Sequence, residues 1–149
     1  MTLRVVIDTN IWIRILLKGR VTLPILEAFN NNQFQLIISQ PLFDEFHEVW
    51  NRPRLLKYID TNQAIRLEKQ LKNRSIWVNT QTIPPHCRDP KDLPVLSTAI
   101  DGQATIIVSG DDDLRADEML RQAMELYNIK LLGVNSFLEY LDEFKQKNK

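Results

Sequence analysis

The sequence has almost no cysteine, no net charge and no long apolar run, and each shortage excludes something. Of 149 residues a single one, Cys87, is a cysteine, so no disulfide within the chain and no zinc ribbon can form. Lysine and arginine total 19, and aspartate and glutamate also total 19. Net charge therefore supplies no bulk attraction to nucleic acid or to an anionic membrane; a polyanion would have to be met by locally segregated charge. No apolar run approaches the roughly 18 residues of a membrane span. Arg4 and Asp8 interrupt the one early apolar stretch, so no secretory leader is expected. Internal repeats, low-complexity segments and interdomain linkers are missing too. What is present is ordinary globular composition, 44% hydrophobic and 26% charged. A chain of this length buries roughly 70% of its unfolded surface without staples. One soluble, cytoplasmic domain over residues 1–149 is expected, its last few residues a frayed basic tail.

The hydropathy pattern alternates strand and helix. Leu3 to Ile7 is short, β-branched and apolar, as a strand buried on both faces must be. Asp8, Thr9 and Asn10 stop it, and Ile11 to Leu17 form a dense apolar segment. A helix is expected from Thr22 to Asn30 with Pro24 in its first turn. A strand follows over Phe34 to Ile38, and then a helix opened by Ser39 and Pro41. Its Leu42, Phe46, Val49 and Trp50 make one apolar stripe, and Pro53 ends it. Thr61 caps a charged helix to about Arg74 that buries Ala64, Leu67 and Leu71. The remaining strands are expected over Ser75 to Val78, Ala104 to Val108 and Ile129 to Leu132, separated by helices. One of these helices spans about Arg115 to Leu126, and Asn135 caps the last. Thr80 to Arg88 is the longest loop. Strands joined by helical crossovers imply a parallel sheet with helices on both faces.

Ligands of such sheets sit beyond the carboxyl ends of the strands, near the point where strand order reverses. Asp8 follows the first strand, and Asp111, Asp112 and Asp113 follow the fourth, so both groups belong to one rim. Each has an ordinary reading, Asp8 as a helix cap and the triple aspartate as a solvated turn and cap. Convergence from separate segments changes the balance, because crowded carboxylates repel and raise one another's pKa unless a cation neutralises them. Oxygen ligands of this kind suit Mg²⁺ or Mn²⁺. Two further acids compete for places. On the helix from Pro41, Glu45 lies about 40° outside Val49, at the border of the apolar stripe, whereas Asp44 and Glu48 point to solvent. In Arg88-Asp89-Pro90-Lys91-Asp92-Leu93-Pro94, a helix starting near Asp92 keeps Pro94 out of the interior. Asp92 is therefore preferred to Asp89.

Taken in order, these motifs resemble a PIN domain over nearly the whole chain: Asp8-Thr9-Asn10 after an apolar strand, and Glu45 after Ser39-Gln40-Pro41-Leu42. Arg88-Asp89-Pro90-Lys91-Asp92 with Ala99 seven later, and Ser109-Gly110-Asp111-Asp112-Asp113-Leu114, complete the set. The branch most similar is the one described as toxin components of toxin–antitoxin systems. The resemblance implies a three-layer α/β/α sandwich with a parallel sheet in order 3-2-1-4-5, and metal-dependent endoribonuclease activity leaving 5′-phosphate and 3′-hydroxyl ends. It carries the family's acids to Asp8, Glu45, Asp92 and Asp111, with Asp113 as an additional ligand. Asn10, Ser109 and Asp89 take supporting positions. Leu93-Pro94 departs from the family's more usual polar or aromatic residues. A small antitoxin protein and a homodimer are the partners it implies, beside RNA.

For the RNA backbone the candidate contacts are Arg52, Arg54 and Lys57 after the Glu45 helix, and Arg88 and Lys91 around Asp92. Arg14, Lys18 and Arg20 form another possible edge. Trp12, Trp50 and Trp77 sit in apolar patterns and are expected in the core. His86-Cys87 offers two ligands where a zinc site needs more, and His47 reads as an exposed helix residue. No RNA-recognition fingerprint is present, so sequence preference is not legible. Two other classes compete. One is a haloacid-dehalogenase-like phosphatase with Asp8 as nucleophile, although Asn10 stands where those enzymes want an acid. The other is a catalytically silent module that binds RNA or an antitoxin.

Overall fold

The structure is a computed structural model, and residues 2–84 and 89–147 are described. The described residues contain five strands: β1 (Arg4–Ile7), β2 (Gln35–Ile38), β3 (Ile76–Trp77), β4 (Ile106–Val108) and β5 (Lys130–Leu132). All pair in parallel, in the order β3-β2-β1-β4-β5. Successive side chains of a strand point to opposite faces. Since Val5, Val6 and Ile7, Leu36, Ile37 and Ile38, and Ile106, Ile107 and Val108 are all buried, both faces of the central sheet are covered. The architecture is the expected α/β/α sandwich.

The helices are α1 (Thr9–Leu16), α2 (Leu23–Asn30), α3 (Gln40–Trp50), α4 (Pro53–Leu56), α5 (Thr61–Arg74), α6 (Leu93–Asp101), α7 (Asp112–Ala116), α8 (Glu118–Glu125) and α9 (Val134–Lys147). A 3₁₀ turn over Pro90–Asp92 precedes α6. In α3 the stripe forms as expected, with Leu42, Phe46 and Trp50 buried, Val49 half-buried, and Phe43 added to the core. Edge-to-face and tilted ring contacts run from Trp12 to Phe29, Phe34 and Phe137, with centroids 5.6, 6.2 and 5.3 Å apart. They tie α1, α2, the approach to β2 and α9 into one aromatic seam, a geometry favoured by the ring quadrupoles.

Several boundaries differ from the sequence reading, each for a local reason. Asp60, not Thr61, caps α5, its carboxylate accepting from the amides of Asn62 and Gln63. Pro53 ends α3 and also opens α4, as a proline can in a first helical turn. The single helix expected over Arg115 to Leu126 is two, because Asp117 is extended and caps α8 by accepting from the amide of Leu120 at 3.2 Å. Helix α9 begins at Val134, ahead of Asn135. Trp77 is 37% exposed on the edge strand, not core; its indole donates to the Lys72 carbonyl and its ring leans on Phe43. His86, Cys87 and Arg88 lie outside the described residues.

Candidate functional site

Register brings the first and fourth acidic segments together. β1 and β4 pair Ile7 with Val108, so Asp8 and Ser109 leave the sheet side by side, and the Asp8 amide donates to the Val108 carbonyl at 2.9 Å. This is the place where the strand order reverses. The buried Ser109 hydroxyl donates to Asp8 Oδ2 at 3.2 Å and accepts from the Asp111 amide at 3.0 Å. One side chain thus fixes both aspartates. Asp8 also caps α1, accepting from the Asn10 amide at 3.4 Å, and Asp111 caps α7, accepting from the amides of Asp113 and Leu114. Capping and a place in the acidic group are therefore not alternatives; the same residues do both. Asn10 reaches Asp8 through its backbone, while its side chain is exposed.

Glu45 lies half-buried at the border of α3, between exposed Asp44 and Glu48, as its helical angle predicts. The hydroxyl of buried Thr9 donates to Glu45 Oε2 at 3.4 Å. Asp92 arrives from the other side. Asp89 caps the 3₁₀ turn, accepting from the Lys91 amide at 3.0 Å. Asp92 then precedes α6 with its own carboxylate free of capping. Helix α6 is clamped at Thr98 to the β2–α3 junction by two buried hydroxyls: Ser39 Oγ and Thr98 Oγ1 are 2.7 Å apart, and Thr98 donates back to the Pro94 carbonyl at 2.6 Å. Thr98 has one hydroxyl proton and gives it to Pro94, so Ser39 must donate to Thr98.

The electrostatics register this convergence. Burial, then neighbouring Asp89, Asp111, Asp8 and Glu45, push the Asp92 carboxyl up to about 6. Burial raises Asp8, opposed by its bonds to Asn10 and Ser109, with Asp111 raising it further and Arg14 lowering it. Glu45 is raised by burial and by Asp8, with Thr9 and Arg52 working against them. Carboxylates from four separate segments thus feel one another. A cleft of about 580 Å³ adjoins them, and Asp89, Asp92, Asp111, Asp113, Asp117 and Glu118 supply its acids. Asp8 and Glu45 do not line this cleft and join it through charge.

Among the described residues, no three His, Cys, Asp or Glu side chains share a ready-made ion cage. The donor set is nevertheless all oxygen and all anionic, which fits a hard divalent ion that keeps part of its water shell better than it fits zinc, whose usual sites are built on nitrogen and sulfur. The basic candidates are placed as follows. Arg52 pairs with Glu48 at 3.4 Å and its charge reaches Glu45; Arg54, Lys57 and Lys91 are exposed. His47 is tied to Glu68 at 2.6 Å on α5, and Glu68 also receives the Trp50 indole. Sequence reasoning missed Thr9, Thr98, Asp117 and Glu118. Asp117 had a usable signal, an aspartate three residues before the buried Leu120, which is cap spacing.

Comparison with known proteins identifies a family. The sequence pattern of the PIN domain family matches residues 4–113, a segment that holds all five strands but β5 and every acid of the group. An uncharacterised protein of Methanocaldococcus jannaschii is 27% identical over 146 residues, covering 97% of this chain and 93% of its own.

Proposed function

The chain belongs to the PIN domain family, whose members are generally nucleases, and on that premise we propose that it is a metal-dependent endoribonuclease acting as one domain over its whole length. The observation that carries the reading is the set Asp8, Glu45, Asp92 and Asp111, contributed by four segments, in which burial and then acidic neighbours raise the pKa of Asp8, Glu45 and Asp92. Such a cluster is costly unless a cation offsets it. Asp8 is the central ligand in this proposal, Glu45, Asp92 and Asp111 hold Mg²⁺ or Mn²⁺ with it, and Asp113 adds a further oxygen from α7. When bound, such ions lower the pKa of water and neutralise charge building on a phosphate.

The protein's own residues contribute position. Ser109 aims Asp8 and the Asp111 backbone together, Thr9 orients Glu45, and the Ser39–Thr98 clamp holds α6 beside the start of α3. Arg52, Arg54, Lys57, Arg88 and Lys91 are proposed to meet RNA phosphates around the rim, with Asn10 and Asp89 shaping its turns. A small antitoxin that covers the rim, placing an arginine or lysine among the carboxylates, belongs to the same reading, as does a homodimer. No described helix is long and apolar enough to cross a membrane. Purified protein incubated with RNA and Mn²⁺, beside a chelated control, tests the proposal. Cleavage leaving 5′-phosphate ends is expected, and intact RNA in both tubes would refute it. Co-purification with a neighbour-encoded small protein that suppresses cleavage tests the antitoxin.

A further inference from the structure

Beside the acidic rim lies a second concavity of opposite charge. It encloses about 340 Å³, and its lining includes Arg14, Arg115, Gly110, Gly133, Asn135 and Ser136. No carboxylate lines it among the described residues. Its place in the fold is set by the sheet: Gly110 stands between Ser109 and Asp111, and Gly133 follows the neighbouring strand β5. Arg14 comes from α1, close enough to Asp8 to lower its pKa.

The two glycines serve these arginines. A Cβ at Gly110 would come within 2.5 Å of Arg14 Nη1, and one at Gly133 within 2.6 Å of Arg115 Nη1. Neither glycine has a positive φ, so what glycine supplies here is room. Each guanidinium lies against bare backbone. Arg115 gives one nitrogen to Asp112, while its Nε is buried and has no hydrogen-bond partner. Arg14 makes no ion pair or side-chain hydrogen bond among the described residues. A buried donor without an acceptor is unfavourable, whereas the exposed Arg14 guanidinium on the pocket's rim is open to an anion.

The third wall is the start of α9, a helix of 14 residues. The Phe137 amide donates to the Gly133 carbonyl at 2.9 Å, so the amides of Val134, Asn135 and Ser136 precede the helix's own bonding. Free amides at a helix start favour a phosphate, and guanidinium forks match its oxygens in pairs.

We propose that the Arg14–Arg115 pocket binds a phosphate group of the nucleic-acid strand whose neighbouring linkage lies at the acidic rim. That the strand is RNA rests on the nuclease reading; recognition of phosphate does not. The group is either a terminal monophosphate or an internal phosphodiester, and both present the same oxygens.

The test uses the full chain in EDTA, so that cleavage plays no part. Inorganic phosphate, compared with chloride at equal ionic strength, should raise the melting temperature of the wild type. The gain should at least halve in Arg14→Gln or Arg115→Gln and vanish in the double variant. A labelled 12-nucleotide RNA should bind the double variant about tenfold more weakly or worse, with the slope of log affinity against log salt reduced by about 1.4 for two lost single-strand contacts. A preference for 5′-phosphorylated over 5′-hydroxyl 12-mers that disappears in the variants assigns the terminal group; equal, arginine-dependent binding assigns the internal one. Arg14 is exposed on α1, so Arg14→Gln decides the matter even if the Arg115 variant does not fold. Phosphate and RNA binding unaffected by these substitutions would overturn the pocket while leaving the nuclease standing. Arginine-dependent phosphate binding in a protein that cuts no RNA would leave the pocket and remove the nuclease.

Discussion

Replacing Thr98 by valine removes one hydroxyl and keeps the shape, and its effect can be worked from the clamp it breaks. Ser39 and Thr98 are both fully buried, and no water can take the place of the lost oxygen. The Pro94 carbonyl keeps its ordinary helical bond, so the stranded group is the Ser39 hydroxyl, 2.7 Å from the missing acceptor. Leaving one buried donor unsatisfied costs about 1–3 kcal/mol, against which the added methyl returns less than about 1 kcal/mol. The net expectation is a loss of about 1–2 kcal/mol, since the two overlap in range. At about 2–4 °C per kcal/mol for a chain of this size, the melting temperature should fall by about 2–8 °C. Ser39→Ala combined with Thr98→Val removes both polar groups and should be milder than the sum of the single variants, because matched apolar replacement is nearly neutral. Denaturant titration of the four proteins gives the cycle. Additive losses, or a Thr98→Val protein as stable as wild type, would refute the clamp.

The acidic group predicts a pH dependence with a definite sign. Asp92 is raised from 3.8 to about 6, so the folded state holds its proton more tightly than the unfolded state. Metal-free stability from this group should therefore fall as pH rises through that window. The stabilisation by Mn²⁺ should grow over the same window because ligands must be deprotonated; thermal melts with and without the ion measure both. Asp101 behaves in the opposite sense. Its carboxylate accepts from the Gln81 amide at 2.6 Å, the Thr82 amide at 3.0 Å and the Thr82 hydroxyl, and these bonds lower its pKa despite burial. Asp101→Asn should thus destabilise at neutral pH, with the difference shrinking as pH falls through the ordinary carboxylate range, as urea titrations at two pH values would show. Asp60→Ala, which removes the cap of α5, should cost about 1 kcal/mol by the same titration.

The sheet was legible in the sequence because its strands are short, β-branched and buried on both faces, and because Asp8 and Asp111 stop two of them at one rim. The order β3-β2-β1-β4-β5 came from the resemblance, since periodicity says nothing about which strands neighbour. Glu45 followed from helical angle, and Asp92 from the position of Pro94. What was not legible depends on contacts between segments distant in sequence. The Ser39–Thr98 and Thr9–Glu45 bonds join residues 59 and 36 positions apart, and nothing local marks a threonine as one end of such a pair. The arginine pocket was hidden for the same reason: Gly110 and Gly133 look like turn residues until Arg14 and Arg115 are seen against them. Asp117 was overlooked because a continuous polar and apolar pattern through Arg115 to Leu126 fits one helix as well as two.

Asp8→Asn tests the central claim most directly. The substitution keeps shape and most of the capping ability, while removing the anion that Ser109 holds at the strand-order reversal. The variant should remain folded without metal, and become no less stable, because one charge leaves a repulsive group. Its stabilisation by Mn²⁺, a mass-action effect in the wild type, should shrink, and RNA cleavage in Mn²⁺ should be abolished. Full cleavage of RNA by the folded Asp8→Asn protein, with an undiminished response to Mn²⁺, would contradict the assignment of the acidic rim as the metal-dependent nuclease site.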